Sequence, residues 1–343
     1  MFVRDDLRLG FAKSKGDILN DFQKLCDLEP EMMVDDTSFW TVREGCPVPK
    51  PLYLYRILRT GQMLSERFHW NHRVRTRTIN NVSAEDRMKQ IRDDPPLWAR
   101  NAFQRTRKHS PSMRVNDIWM HVIQTNSALY SLTHFRATVS KHLCDVTHAR
   151  RVLDFSAGWG DRLTGFLASE SVQEITLIDP RPGSIRACKA QHAYINSKKK
   201  LKTLQRGAED ALPTLRSNSV DLIITSPPYF NLEHYGETEA EAVGQIRLKV
   251  DSNEAYLKYF LQPVLGHCAR VLAPGGLLAL NVDDNPRLDV RICKPALQEL
   301  RKLSSLTFVG TAGLRKGQGM GHHVEGTPNA VRAEPIYIFR KHV

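Results

Sequence analysis

The run Val220–Thr225, followed directly by Ser226-Pro227-Pro228-Tyr229-Phe230, constrains this chain more than any other stretch. Its apolar, β-branched residues read as a buried strand, and two successive prolines stop that strand at once. Each proline fixes its own φ, lacks an amide hydrogen and pushes the preceding residue into an extended conformation, so ladder pairing cannot pass through the pair. The backbone there is stiff, with unpaired carbonyls. The Ser226 hydroxyl before the prolines and the Tyr229 ring after them place a hydrogen-bond acceptor beside a stacking plate, an arrangement that suits the amino edge of a flat base. Taken alone, Pro-Pro-Tyr is as readily a surface turn or a polyproline ligand. Its place at the end of a Val/Leu/Ile/Ile run argues against both.

A second segment, Arg151-Val152-Leu153-Asp154-Phe155-Ser156-Ala157-Gly158-Trp159-Gly160-Asp161, reads as strand, glycine loop and helix. Small residues at Ser156, Ala157, Gly158 and Gly160 let a ligand approach the backbone, and a helix over about 161–169 offers free N–H groups to an anion. Leu163 stands where the third glycine of G-x-G-x-x-G belongs, so a dinucleotide is disfavoured. The next apolar run, Glu174–Ile178, ends at Asp179. A carboxylate there either accepts both ribose hydroxyls of a nucleoside or caps the turn before Pro180. Loop, carboxylate and Ser-Pro-Pro-Tyr thus stand in order at the ends of three strand candidates, whose carboxyl ends form one crevice in an open parallel sheet.

With these three motifs the chain resembles the S-adenosylmethionine-dependent amino-methyltransferases that methylate exocyclic nitrogens of bases in nucleic acids. The resemblance covers about residues 130–343. It implies an α/β, Rossmann-like class I methyltransferase with a mostly parallel seven-stranded sheet, and S-adenosyl-L-methionine as cofactor. The family's cofactor loop matches residues 154–160, including Asp154, Ser156, Gly158, Trp159 and Gly160, and its ribose-binding acid matches Asp179. Its catalytic motif matches Ser226, Pro227, Pro228 and Tyr229. In this family Ser preceded by Thr225 is most typical of N4-cytosine enzymes, whereas Asp or Asn in place of Ser226 is usual for N6-adenine enzymes. Phe135 matches a segment closing over the methionine end of the cofactor, and reads equally as a core aromatic. At the family's acid near the adenine ring this chain has Ala208, which leaves Glu209 and Asp210 as candidates. The closing antiparallel pair matches 306–311 and 334–340, with a Gly-rich link over the site.

The chemistry implied needs little acid–base machinery. Ser226 and the Pro227 carbonyl accept from the amino protons, Tyr229 stacks on an extruded base, and Phe230 flanks base or cofactor, each stack being worth about 1 to 3 kcal/mol. Alignment supplies most of the acceleration, and the sequence identifies no obligatory general base. The gap after Tyr229 reads as a substrate-facing loop in which His234 and Tyr235 are contact candidates.

Net charge speaks to partners. The 343 residues carry a formal charge of +12. Residues 56–108 hold 13 Lys/Arg against 5 Asp/Glu, with Trp70, Trp98 and Phe103 interleaved. Such a segment can neutralise phosphates and set aromatics near bases, or be a solvated helical surface. Arg73, Arg75 and Arg77 alternate with small residues, as in a strand or loop following a backbone. Residues 1–126 accordingly read as a basic, mainly helical accessory region, and 127–343 as the catalytic domain. DNA is the expected partner, with RNA as the alternative. The chain lacks an 18-residue apolar run and a secretory leader at residues 1–10, so no membrane is expected, and an intracellular setting, cytoplasmic or nuclear by host, is. Six scattered cysteines suggest reduced thiols, and thirteen histidines fall in no metal-ligand spacing. The other function class is a catalytically silent nucleic-acid-binding protein that has kept the fold. A protein-glutamine methyltransferase is disfavoured because that family has Asn at Ser226.

Overall fold

The computed structural model describes residues 13–35, 40–42, 46–78, 82–83, 85–86, 89–90, 94, 96–113, 115, 118, 135–230, 233–235, 242, 244–284, 290–315 and 331–343. Strands are β1 (Val34–Asp35), β2 (Trp40–Thr41), β3 (Pro51–Tyr55), β4 (Arg77–Thr78), β5 (Arg151–Asp154), β6 (Glu174–Ile178), β7 (Lys200–Leu204), β8 (Val220–Thr225), β9 (Glu233–His234), β10 (Leu272–Asn281), β11 (Leu306–Arg315) and β12 (Val331–Lys341). The longer helices are α1 (Lys15–Cys26), α2 (Gln62–Arg75), α3 (Leu97–His109), α4 (Ala137–Thr147), α5 (Asp161–Ala168), α6 (Pro182–Tyr194), α7 (Gln262–Val271) and α8 (Cys293–Lys302).

The strand order through the main sheet is β7-β6-β5-β8-β10-β12-β11. Strands β5, β6, β7, β8 and β10 are mutually parallel, and β12 runs antiparallel between β10 and β11. This is the expected seven-stranded α/β arrangement of a class I methyltransferase. The chain leaves β5 toward β7, then crosses back to lay β8 on the other side of β5. That reversal opens a crevice at the carboxyl ends of the two strands.

Alternation along the strands divides the core. In β8, Leu222 and Ile224 face a cluster with Val139, Leu163, Phe166 and Cys188, from α4, α5 and α6. Ile223 faces the other cluster, with Val264, Leu265, Ala296 and Leu300 from α7 and α8. A strand covered on both faces must be apolar throughout, which is why Val220–Thr225 carries a single charge, Asp221. That carboxylate sits at the strand's start and accepts from Arg151 Nη2 at 2.6 Å.

The N-terminal region carries the helices α1, α2 and α3 and also adds strands to the sheet. Strand β3 pairs parallel with β11, β1 pairs with β3, and β2 pairs with β12, which extends the sheet to ten strands among the described residues. The boundary expected at 126 falls outside the described residues. Cys46 and Cys293 are paired as a disulfide across 247 residues, so the expectation of six reduced thiols is corrected at this pair. Cys26, Cys144, Cys188 and Cys268 are free. Among the described residues no helix is long and apolar enough to cross a membrane.

Candidate active site

The glycine loop follows β5 and ends in α5. Gly158 (φ 53°) and Gly160 (φ 70°) are left-handed, a conformation glycine adopts without a Cβ penalty. Ser156, Gly158 and Trp159 line the cavity at the crevice, together with Phe135. Asp154 and Gly160, expected among the cofactor contacts, do not line it. The Asp154 carboxylate is fully buried beneath the loop, accepting from Ser156 N at 3.0 Å, Arg162 Nε at 2.7 Å and Thr225 Oγ1 at 3.1 Å. It braces the loop from below and joins it to β8. Gly160 is a packing requirement, because a Cβ there would collide with Gln191 of α6 and His69 of α2.

Asp179 does line the cavity. One carboxylate oxygen accepts from Gly158 N at 2.8 Å and the other from Arg181 N at 2.9 Å, so the acid is aimed by the loop it faces. Burial pushes this carboxyl above its ordinary value, while the adjacent Arg181 pulls the other way. The Arg181 guanidinium lies 4.3 Å from the Trp159 ring centroid and 5.4 Å from that of Tyr235, an aromatic clamp on a cation. Of the two candidates after Gly207, Glu209 lines the cavity and pairs with Lys249. Asp210, 3.2 Å from Lys249 and 61% exposed, lies outside.

Ser226, Pro227, Pro228, Tyr229 and Phe230 form the far wall of the same cavity. The Pro228 carbonyl accepts from Tyr256 Oη at 2.8 Å and from Phe230 N at 3.0 Å, which holds Phe230 at φ 44°. With Pro228 engaged, acceptance from a substrate falls to Ser226 and Pro227. Ser226 Oγ is 3.2 Å from Tyr229 Oη, and Tyr229 Oη donates to Glu334 Oε1 at 2.7 Å. Burial and the nearby Glu334 push the Tyr229 phenol well above its usual range, so it keeps its proton.

One continuous cavity therefore carries a buried carboxylate for vicinal hydroxyls, a loop that admits a ligand to its backbone, and the Ser-Pro-Pro-Tyr wall. This donor set fits S-adenosylmethionine. Residues 220–343 match a family model described as DNA methylase. The chain is 27% identical over 190 residues to a tRNA1(Val) (adenine(37)-N6)-methyltransferase of Aeromonas hydrophila, covering 53% of this chain and 74% of that protein. Among solved structures, TrmN from Thermus thermophilus is 16% identical with a TM-score of 0.37, over 64% of this chain and about half (52%) of that one. The N-methyltransferase NodS from Bradyrhizobium japonicum is 14% identical with a TM-score of 0.38, over 60% and 94%. This is the fold of an S-adenosylmethionine-dependent methyltransferase.

Other residues expected to meet the substrate are distributed unevenly in the methyltransferase. Tyr235 lines the cavity, 5.6 Å from Trp159 between ring centroids. His234 does not line it; its strand β9 pairs antiparallel with β4, Arg77 opposite His234, which ties the loop after Tyr229 to the basic N-terminal region. Arg73 is corrected: it is 4% exposed, on the inner face of α2, and cannot reach a phosphate. The helix continues to Arg75, so the alternating arginines are not one extended strand. Arg75 and Arg77 stay about half exposed, 3.2 Å from Glu85 and Asp86 respectively. Neither lines the cavity. The sequence reading missed Arg181, Gln245, Arg247, Asn281 and Glu334 in the wall and Tyr256 behind it. Arg181 stands two residues after the acid and Glu334 lies in the closing strand β12, but no spacing marks either as functional.

Proposed function

We propose that this methyltransferase transfers the S-adenosylmethionine methyl group to an exocyclic amino nitrogen of a base in nucleic acid, with cytosine N4 in DNA as the preferred acceptor. The observation that supports it most directly is that Ser226 and Pro227, the two acceptors at the end of β8, line the same cavity as Asp179 and Gly158. When bound, the cofactor supplies a methyl group on a positively charged sulfur. The residues of this chain do the rest by position. Asp179 and the loop hold the nucleoside half, while Ser226 and the Pro227 carbonyl accept the amino protons. That contact turns the nitrogen lone pair out of conjugation with its ring and toward the methyl carbon. Charge disappears during transfer, so an apolar, water-poor wall built from Phe135, Phe155 and Tyr229 does not oppose the reaction.

Ser226 in the motif favours cytosine, and a formal charge of +12 favours a polyanionic partner. Exposed Arg75 and Arg77 next to β9 give that partner a place to engage near the loop. A second reading, adenine N6 in RNA, is favoured by the relative from Aeromonas hydrophila, which acts on a tRNA adenine. The test is transfer from labelled cofactor to DNA and RNA, single-stranded and duplex, with nucleoside digestion and mass spectrometry. N4-methylcytosine from DNA is the expected product. N6-methyladenine, or label in RNA only, would replace the acceptor and keep the site; label in none of the four would overturn the proposal.

A further inference from the structure

Tyr229 has one hydroxyl proton, and Glu334 sits 2.7 Å away as its acceptor. An ionised carboxylate can only accept, so the phenol proton is committed to Glu334. At the 3.2 Å contact between Tyr229 Oη and Ser226 Oγ, Tyr229 is then the acceptor and Ser226 the donor. The single proton of Ser226 is used in turn, and only lone pairs remain for the cavity. Glu334 is thereby the element that fixes the polarity of the motif's first residue. It comes from β12, 105 residues away in sequence from Tyr229.

We propose that Ser226, Tyr229 and Glu334 form a directed hydrogen-bond chain that selects an amino donor over a carbonyl in the substrate and receives the proton released on methylation. The inference rests on the function proposed above and adds Glu334 to it as a positioning residue. Toward the cavity the chain presents an acceptor, which matches an exocyclic amino group and opposes a keto oxygen at the same place. As the C–N bond forms and the S–CH3 bond breaks, the sulfonium becomes a neutral thioether. The amino nitrogen passes one proton to Ser226 Oγ, the serine proton moves to Tyr229 Oη, and the phenol proton moves to Glu334. The methylated amine and the carboxylic acid are both neutral, so charge balances, and the acid later returns its proton to solvent.

The surrounding groups suit a partly buried carboxylate. The Arg136 guanidinium, at the start of α4, is close enough to Glu334 to interact with it electrostatically; burial lowers Arg136 to about 10, and Glu334 partly opposes that shift. Arg136 Nη1 donates to Arg56 O at 3.1 Å and Nη2 to Arg315 O, so Arg136 is fixed beside the site. Arg315 and Arg59 add positive charge around Arg136, and Asp283 adds negative charge near Tyr229.

The test compares wild type with Glu334→Gln, Glu334→Asp and Tyr229→Phe, using unmodified random-sequence DNA and unmodified tRNA as acceptors across pH 5 to 9. Glutamine keeps the size and an oxygen acceptor but can present its amide to Tyr229, reversing the chain so that Ser226 points a proton at the substrate. Phenylalanine keeps the stacking ring and removes the link. Both are expected to lower kcat about 100-fold, the lower end of the range for proton-transfer groups, with the KM for cofactor unchanged. The wild-type kcat should fall on the acid side as the carboxylate is protonated, and that limb should vanish in Glu334→Gln. Aspartate should recover activity to within about tenfold of wild type. Thermal melting and cofactor binding screen each variant for folding. A Glu334→Gln enzyme with wild-type kcat and an unchanged pH profile overturns the chain while leaving the proposed function standing. A wild-type enzyme that labels neither acceptor overturns both.

Discussion

His69 makes the attachment of α2 to the cofactor loop sensitive to acid. Its ring is 1% exposed and packed where a Cβ on Gly160 would stand, with Nε2 3.8 Å from Cys188 Sγ. Burial, with Arg181 adding to it, pushes the imidazole down from 6.5 to about 3. The unfolded chain therefore takes up a proton near pH 6.5 that the native protein refuses until about pH 3. Stability from this group is complete above pH 6.5 and is lost as the pH falls toward 3. At pH 5 the histidine is 1.5 pH units below its unfolded value, which at 1.36 kcal/mol per unit removes about 2 kcal/mol. Domain stabilities of about 5–15 kcal/mol make that a measurable share. The assay is urea unfolding of wild type and His69→Asn at pH 8 and pH 5. Asparagine does not ionise, so the loss of stability between the two pH values should be about 2 kcal/mol smaller in the variant, whatever the substitution does at pH 8. Equal losses in both proteins would refute the reasoning and mean that His69 becomes protonated without leaving its site.

Asp179→Ala should weaken S-adenosylmethionine binding about 10- to 100-fold, the range for losing a charged hydrogen-bond partner, with nucleic-acid affinity unchanged; calorimetry showing wild-type cofactor affinity would remove Asp179 from the site. Charge reversal of Arg75 and Arg77 should flatten the dependence of log K on log salt by about 1 for each phosphate contact removed. An unchanged slope would leave both arginines as members of the local ion pairs with Glu85 and Asp86.

What the sequence disclosed was local and at strand ends. Val220–Thr225 with its two prolines, the run at 151–161 and Asp179 each announce a strand and its termination within a dozen residues, so the crevice follows from their order, and the cofactor from the family resemblance these motifs carry. Glu334 and Tyr256 act on Ser226-Pro227-Pro228-Tyr229 from distant positions, and no local pattern distinguishes them from an ordinary strand residue and a core tyrosine. Asp154 and Gly160 sit at motif positions and were read as ligands. Their side-chain environments show that one braces the loop and the other allows α2 and α6 to approach. Arg73 departs from the expected exposed strand for a physical reason. On α2 a long, charged side chain faces inward, 3.9 Å from Glu66, and helical burial of an arginine leaves no apolar periodicity to detect. Strands β1, β2 and β4 are two residues each, too short to alternate.

The N-terminal region holds both halves of the site. On the cofactor side, Ser65 Oγ of α2 donates to Asp161 Oδ1 at 2.5 Å, at the first residue of α5, and His69 fills the space left by Gly160. On the substrate side, β4 pairs with β9, which leads to Tyr235 and the Trp159–Arg181 stack. The segment from α2 to β4 is continuous in sequence, and the two contacts bracket Arg73 and Arg75, with Arg77 itself paired opposite His234. A polyanion drawing on Arg75 would therefore pull on the end of a helix whose earlier turns contact the glycine loop. Arg75 and Arg77 also make exposed ion pairs with Glu85 and Asp86, each worth under about 1 kcal/mol. The buried contacts of Ser65 and His69 stay in place. The exposed Arg75 and the buried contacts of Ser65 and His69 thus lie on one helix, α2, with Arg77 following in β4.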